Sequence, residues 1–379
     1  MRIIFLCGSI EIGADGVGDY SRILAAEMIK QGHHAGIVAL YDRNVSDKCE
    51  ETQNVDDIKI PVCRIPAHCS SRRRFSLAKE WIFLFNPDWI SLQFVIFTFH
   101  QKGLPFGISR QLLNLGNQRR WHIMFHELWL GMDINATRKN RLWGWFQKNI
   151  IKKVIQDLKP ALIHTQSHIY QAQLTKLGFD TDYLPLFGNI PNIKINHSDE
   201  SVDQINSDRT IRLVHFASVH AGAPVDEFAR EVARYSNEMD IPVSLTFIGR
   251  SGAEQNKWIE AFRSQRLIVQ SLGELSPASI SEFLNSSTMG ISSTPVILAE
   301  KSGSVAAMRE HGLPVLSVAY PWIAPKELGF EPIPGVFQYR NGIFKELLES
   351  KKKYDNNSSA ATVSSKLAVC FMDEMNRTS

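Results

Sequence analysis

No run in the sequence reaches the ~18–20 uninterrupted apolar residues that a bilayer-spanning helix needs, which argues against an integral membrane protein. Net charge is small. The chain has 42 Lys and Arg against 39 Asp and Glu, leaving +3, too even a balance for a dedicated nucleic-acid binder. Cysteine is sparse. Cys7, Cys49, Cys63, Cys69 and Cys370 are odd in number and contain no Cys-x2-Cys pair. Neither a zinc site nor a disulfide framework is signalled, and unpaired thiols suit a reducing, cytoplasmic compartment. The Gly-x-Gly-x-x-Gly fingerprint of dinucleotide binding is missing, and no tyrosine is followed four positions later by lysine. No Asp-x-Asp closes a strand, so the sequence demands no divalent metal.

What is present is a globular composition, with 44% hydrophobic and 21% charged residues, enough to bury proper cores. At ~100–200 residues per domain, the 379 residues suggest two. Charge is unevenly spread. Residues 1–190 carry 23 basic and 17 acidic side chains, and the remainder 19 and 22. A basic first half suits an anionic substrate or an anionic membrane surface; ordinary variation of surface composition explains it equally well.

The chain opens with Arg2–Cys7, an apolar run without a cleavage site that reads as a buried strand and not as a signal peptide. A loop with Gly13, Gly16 and Gly18 leads into a helix over Asp19–Gln31, stopped by Gly32, and then a strand over His34–Leu40. This β-loop-α-β start predicts a parallel sheet with helices on both faces. The alternation continues through strands Asp88–Gln93 and His122–Phe125, a helix Leu142–Leu158 and a strand Ala161–Thr165. A helix Ser167–Leu177, capped by Ser167, and a strand Tyr183–Leu186 follow. Residues 191–209 are polar and turn-rich and read as a linker. Strands over Ile211–Phe216, Val243–Ile248, Leu267–Gln270, Met289–Ser292 and Pro314–Val318 follow, with helices Val225–Tyr235, Pro277–Leu284, Ser302–His311 and one from Gly342. After a low-complexity turn at Asp355–Ser359, a last helix over Ala360–Met375 is expected to pack back toward the first domain. The expected organisation is α/β, with two consecutive Rossmann-like doubly wound domains. The first covers 1–190 and the second 210–355, with 356–379 as the tail.

Candidate site residues fall at predicted strand ends, where open α/β sheets bind ligands. The loop around Gly16 and Gly18 precedes a helix whose first N–H groups favour an anion; Asp42, closing the next strand, is placed like a ribose-binding acid. His126 and Glu127 follow the strand at His122–Phe125, and a histidine there can hold a hydroxyl or carry a proton. Glu300 stands ahead of the helix opened by Lys301, Ser302, Gly303 and Ser304, an arrangement that can grip a sugar or ribose hydroxyl and face a phosphate. Ser293, Thr294 and Pro295 end the strand before it. His220 and Arg250 are cations at strand ends of the second half. A tight turn, an ordinary capped helix or a solvated loop explains each of these singly. The basic, aromatic stretch Arg138–Lys153 suits an anionic membrane interface, although an amphipathic helix on the sheet is the commoner explanation, as it is for Arg72, Arg73 and Arg74.

In their order and spacing these pieces resemble the GT-B-fold glycosyltransferases, specifically retaining family 4. The carriers are the loop Gly16-Val-Gly18-Asp19-Tyr20-Ser21, the pair Gly32-His33, and His126-Glu127 where the family often has His-Asp. Leu184–Pro191, and Glu300-Lys301-Ser302-Gly303 followed by Gly312-Leu313-Pro314-Val315, complete the set. The resemblance implies two domains facing across a cleft and transfer of a sugar from a nucleotide diphosphate sugar to a carbohydrate or lipid-linked hydroxyl, with retention. Polysaccharide or glycoconjugate biosynthesis is the implied setting, with no cofactor beyond the co-substrate, no metal and no nucleic-acid partner. It assigns His126, Glu300 and Asp19 to catalysis and Glu127 and Tyr20 to the acceptor side. Gly16, Gly18, His220, Arg250, Lys301, Ser302, Gly303 and Ser304 go to the donor. It also allows peripheral contact with the inner face of a membrane.

Two departures stand out. Met308 holds the second acidic position of the family's Glu-x7-Glu segment, with Glu310 nearby. The Arg and Lys usual after the first strand of the second domain are replaced by Phe216-Ala-Ser-Val-His220-Ala-Gly-Ala. They keep open a catalytically inactive nucleotide-sugar binder or scaffold; a nicotinamide-dependent oxidoreductase or epimerase is a separate and more remote alternative.

Overall fold

Short apolar runs, most of them followed by a helix, build two largely parallel sheets. They are seen in a computed structural model that describes residues 1–116, 119–193, 210–325, 331–350 and 360–378. The chain divides into two compact units. One comprises Met1–Pro185, Ile323–Phe330 and Ser364–Ser379; the other comprises Leu186–Trp322 and Glu331–Val363.

The first unit contains β1 (Arg2–Cys7), β2 (His34–Asp42), β3 (Cys49–Val55), β4 (Ile58–Pro66), β5 (Trp89–Phe94), β6 (Arg120–Phe125), β7 (Leu162–Thr165) and β8 (Asp182–Tyr183). Their order is β3-β4-β2-β1-β5-β6-β7-β8, and every neighbouring pair is parallel except β3 with β4. The β3–β4 hairpin lies in a stretch to which the sequence assigned no element, while the helix Ser71–Phe85 contains Arg72, Arg73 and Arg74, for which an amphipathic helix was the commoner explanation. β3 is an edge strand, Cys-Glu-Glu-Thr-Gln-Asn-Val, in which only Gln53 is buried, so it carries no hydrophobic alternation. The helix opens on three arginines, capped by Ser70 Oγ accepting from the Arg73 N–H at 3.3 Å.

Two expected elements change for local reasons. The strand at Tyr183–Leu186 is only two residues long, because Pro185 has no N–H for the ladder. Ser167 does occupy the N-cap of the helix His168–Lys176, yet its hydroxyl makes no capping bond and is buried without a partner. The basic, aromatic stretch is a helix, Arg138–Leu158, whose inner face buries Gln147, Ile151, Val154 and Leu158, while Leu142 and Trp145 are exposed. The last helix, Ala360–Arg377, sets Phe371 against the rings of His122 and His164 in the first unit's sheet, with centroids 4.5 and 5.7 Å away.

The second unit contains β9 (Ile211–Phe216), β10 (Val243–Ile248), β11 (Ile268–Ser271), β12 (Met289–Ser292), β13 (Val315–Ser317) and β14 (Val336–Gln338) in the all-parallel order β11-β10-β9-β12-β13-β14. Phe228, Phe247, Trp258, Phe262 and Phe344 form the aromatic heart of its core. Trp258 and Phe262 come from a helix, Gln255–Ser264, that the sequence reading passed over.

Of the stretch read as a linker, residues 194–209 lie outside the described residues, as does the turn at Asp355–Ser359. The part just before it is tied down within the second unit. The Gly188 N–H donates to Glu310 Oε1 at 2.8 Å, Asn192 Nδ2 to the Glu310 carbonyl at 2.9 Å, and the Ile193 N–H to Ser281 Oγ at 2.9 Å. A Cβ on Gly188 would lie 2.8 Å from Ala307 Cα, a backbone clash that no rotamer relieves. Gly188→Ala is therefore expected to cost roughly 1–3 kcal/mol of stability, read as a lowered urea midpoint.

Candidate functional site

In the first unit the carboxyl ends of β1 and β6 present the expected residues in altered roles. The helix Gly16–Lys30 starts under its own cap. Asp15 accepts from the Val17 N–H at 3.0 Å and the Gly18 N–H at 2.9 Å, and burial raises its pKa. This corrects the expectation of a helix start with amides left for a phosphate; an internal carboxylate takes the Gly18 amide. Gly18 is required for packing, since a Cβ there would meet the Ser9 carbonyl at 2.7 Å, while Gly16 faces open space. Asp19 is buried, pairs with Arg22 and accepts from the Gly13 N–H at 3.2 Å. Asp42, placed like a ribose acid by the sequence, is instead a buried partner of Arg64 at 2.8 Å.

His126 lies just past β6, 6% exposed, with Tyr20 edge-on at 5.2 Å between ring centroids. Its Nε2 meets Gln93 Oε1 at 2.8 Å and its Nδ1 meets Gln166 Oε1 at 3.1 Å. Glu127, next in the chain, is half-buried. The sequence reading missed Gln93 and Gln166, which are buried at the ends of β5 and β7. A signal was available. Parallel strands buried on both faces are normally continuous apolar runs, and Ser91, Gln93, His122 and His164 interrupt that pattern.

In the second unit the carboxyl edge gathers most of the donor-side candidates. Glu300 is buried within a 3₁₀ turn, Val296–Lys301. Ser302 then caps the helix Gly303–Glu310, accepting from the Val305 N–H at 3.4 Å and meeting Ser304 Oγ at 3.1 Å. Gly303 has nothing within 4 Å of where a Cβ would stand, so a ligand can approach that backbone closely. The His220 N–H donates to Ser293 Oγ at 2.8 Å, which joins the loop after β9 to the end of β12. Burial and the Lys301 charge both lower the pKa of His220, so these two groups share a neighbourhood. Arg250 points outward to Glu274, at 2.6 Å, with both side chains 60% exposed. Ala217, first past β9, has φ +70°, a strained conformation for a residue with a Cβ and one that clusters at functional edges. Met308 is fully buried against Gly290 and belongs to the core; Glu310 faces Gly188. Neither reaches the edge occupied by Glu300 as a second acid.

Among the described residues, no three His, Cys, Asp or Glu side chains are grouped to hold a metal ion, and no helix is long and apolar enough to cross a membrane.

No family model matches the chain, and no curated protein does. Solved structures do. HepE of Anabaena, determined with UDP and glucose, aligns at TM-score 0.61 and 15% identity over 100% of this chain and 99% of its own. WaaG, a glycosyltransferase involved in lipopolysaccharide biosynthesis, aligns at 0.57 and 12% over 98% and 95%. The UDP-GlcNAc 2-epimerase of Neisseria meningitidis, bound to UDP-GlcNAc, aligns at 0.57 and 10% over 100% of both chains. Likeness at such identities speaks for architecture alone, and the architecture is that of the GT-B fold, two Rossmann-like parallel-sheet domains in one chain.

Proposed function

We propose that the protein transfers a sugar from a uridine diphosphate sugar to a carbohydrate or lipid-linked hydroxyl, with retained configuration. The observation that carries this reading is the second unit's carboxyl edge. A buried carboxylate, Glu300, stands two residues ahead of a serine cap and an open glycine backbone, with His220 and Lys301 close by. Glu300 grips a hydroxyl of the sugar or ribose. The leaving diphosphate gains charge as the glycosidic bond breaks, and the Gly303 and Ser304 amides with Lys301 are the preorganised groups aimed at it. Arg250 joins them by leaving its exposed pair with Glu274. In the first unit, His126 contacts the transferred sugar, while Asp19, Tyr20 and Glu127 shape the acceptor side. UDP is favoured among nucleotides because HepE is seen with UDP.

A thermal-shift panel of UDP, GDP, ADP and dTDP tests this. UDP alone is expected to stabilise, by ~2.7 kcal/mol at a hundredfold excess over its dissociation constant. No shift with any of the four removes the reading. The match to a UDP-GlcNAc 2-epimerase supports a second reading. Conversion of UDP-GlcNAc to its C2 epimer without an acceptor would favour that one. Binding without any turnover would favour an inactive binder.

A further inference from the structure

The first unit's sheet contains a line of buried polar side chains where apolar residues are the rule. It begins at Glu374 on the last helix, whose Oε2 lies 2.5 Å from His164 Nε2. His164 Nδ1 lies 3.0 Å from His122 Nε2, and His122 Nδ1 lies 2.7 Å from Ser91 Oγ. Gln93 Nε2 donates to Ser91 Oγ at 2.7 Å, and Gln93 Oε1 meets His126 Nε2 at 2.8 Å. Ser91, Gln93, His122 and His164 are each 0–1% exposed.

The chemistry of the groups at its two ends orients this line of bonds. The bond to His164 holds the Glu374 carboxyl below its ordinary pKa, and a carboxylate only accepts, so His164 donates from Nε2. Burial keeps His122 neutral, with one donor and one acceptor nitrogen. With one ring proton, directed from Nε2 to Glu374, His164 accepts at Nδ1; His122 then donates from Nε2 and accepts the Ser91 hydroxyl at Nδ1. Ser91 accepts from the Gln93 amide, which leaves the Gln93 carbonyl facing His126. His126 must then carry a proton on Nε2. Its Nδ1 is left to Gln166, whose amide can present either end.

We propose that Glu374 is a positioning residue for His126, acting through His164, His122, Ser91 and Gln93 to fix which ring nitrogen of His126 bears its proton. Buried polar chains of this kind are retained at a cost relative to apolar packing. This one ends on the residue at the sheet's ligand edge. Its importance for turnover rests on the reading of His126 as a sugar-side group; its existence does not.

The test is a long-range ¹H–¹⁵N spectrum of the full chain with labelled histidines, recorded without nucleotide. An absence of UDP binding would therefore sink the transferase reading and leave this result standing. In the unsubstituted protein His122, His126 and His164 are expected in the Nε2–H form. Glu374→Gln keeps an acceptor oxygen and is expected to preserve all three. Glu374→Lys replaces the acceptor by a donor; His164 and His122 are expected to switch to Nδ1–H, and the Nε2–H share of His126 to fall at least about twofold. Should that variant fail to fold, Ser91→Ala cuts the chain inside the sheet without touching the helix, and His126 is expected to populate both tautomers. An unchanged His126 in a folded Glu374→Lys or Ser91→Ala protein would overturn the proposal. So would loss of the pattern in Glu374→Gln, which would make helix docking alone responsible.

Discussion

Replacing Glu300 by alanine is expected to slow sugar transfer at least about tenfold, a demand of only ~1.4 kcal/mol on the barrier, with the chain still folded. Glu300 is 6% exposed at the carboxyl edge of the second sheet and stands just before the serine-capped helix. Burying a carboxylate is costly, and this one stands in the loop after β12, at the sheet edge where open α/β sheets bind ligands. Its position ahead of Gly303 suits a hydroxyl of the bound donor. His126→Ala is expected to lower turnover by a similar factor, because an imidazole held by two amides at the first sheet's edge presents one fixed face to a sugar. The measurement is UDP release from a UDP-sugar, with the urea midpoint recorded on the same samples. Unchanged rates in both variants would remove both residues from the site.

Glu310→Gln is expected to change how stability depends on pH. Burial pushes the Glu310 carboxyl up to about 7 from its ordinary 4.5, against the smaller opposing effect of the Gly188 N–H. The folded chain thus holds this proton more tightly than the unfolded chain. The resulting stabilisation is fully present below the unfolded value of 4.5 and is lost as pH rises through about 7. Across that window it amounts to roughly 3 kcal/mol. Glutamine keeps an acceptor for Gly188 and cannot ionise. The variant is expected to match the unsubstituted protein near pH 4.5 and to exceed its stability above pH 7 by about that amount. Parallel urea-midpoint profiles for the two proteins from acid to pH 8 would contradict this.

Much of the architecture was legible because parallel strands are short apolar runs. Arg2–Cys7, Ile211–Phe216, Val243–Ile248 and Met289–Ser292 have the bounds that hydrophobicity and glycine turns implied. The β3–β4 hairpin was not legible, because an edge strand of Glu, Thr, Gln and Asn carries no hydrophobic alternation. Positions at strand ends were readable in the same way, placing His126, His220, Arg250 and Glu300 at carboxyl edges. What those side chains bind was not. That Asp42 belongs to Arg64 and that Glu310 holds Gly188 are long-range pairings without a local pattern, whereas the Asp15 cap on the Gly18 amide, three residues away, is a local signal that the sequence reading passed over. The buried polar relay did leave a trace, as polar residues at alternate positions within otherwise apolar strands.

The carboxyl edge of the second sheet is proposed to hold the uridine diphosphate of a sugar donor. Photo-crosslinking with an azido-uridine diphosphate sugar, competed by free UDP and mapped by peptide sequencing, addresses it directly. UDP-protected adducts are expected on the segments around His220, Arg250 or Ser293–Ser304. Protected adducts confined to other segments, or labelling that UDP does not suppress, would contradict it.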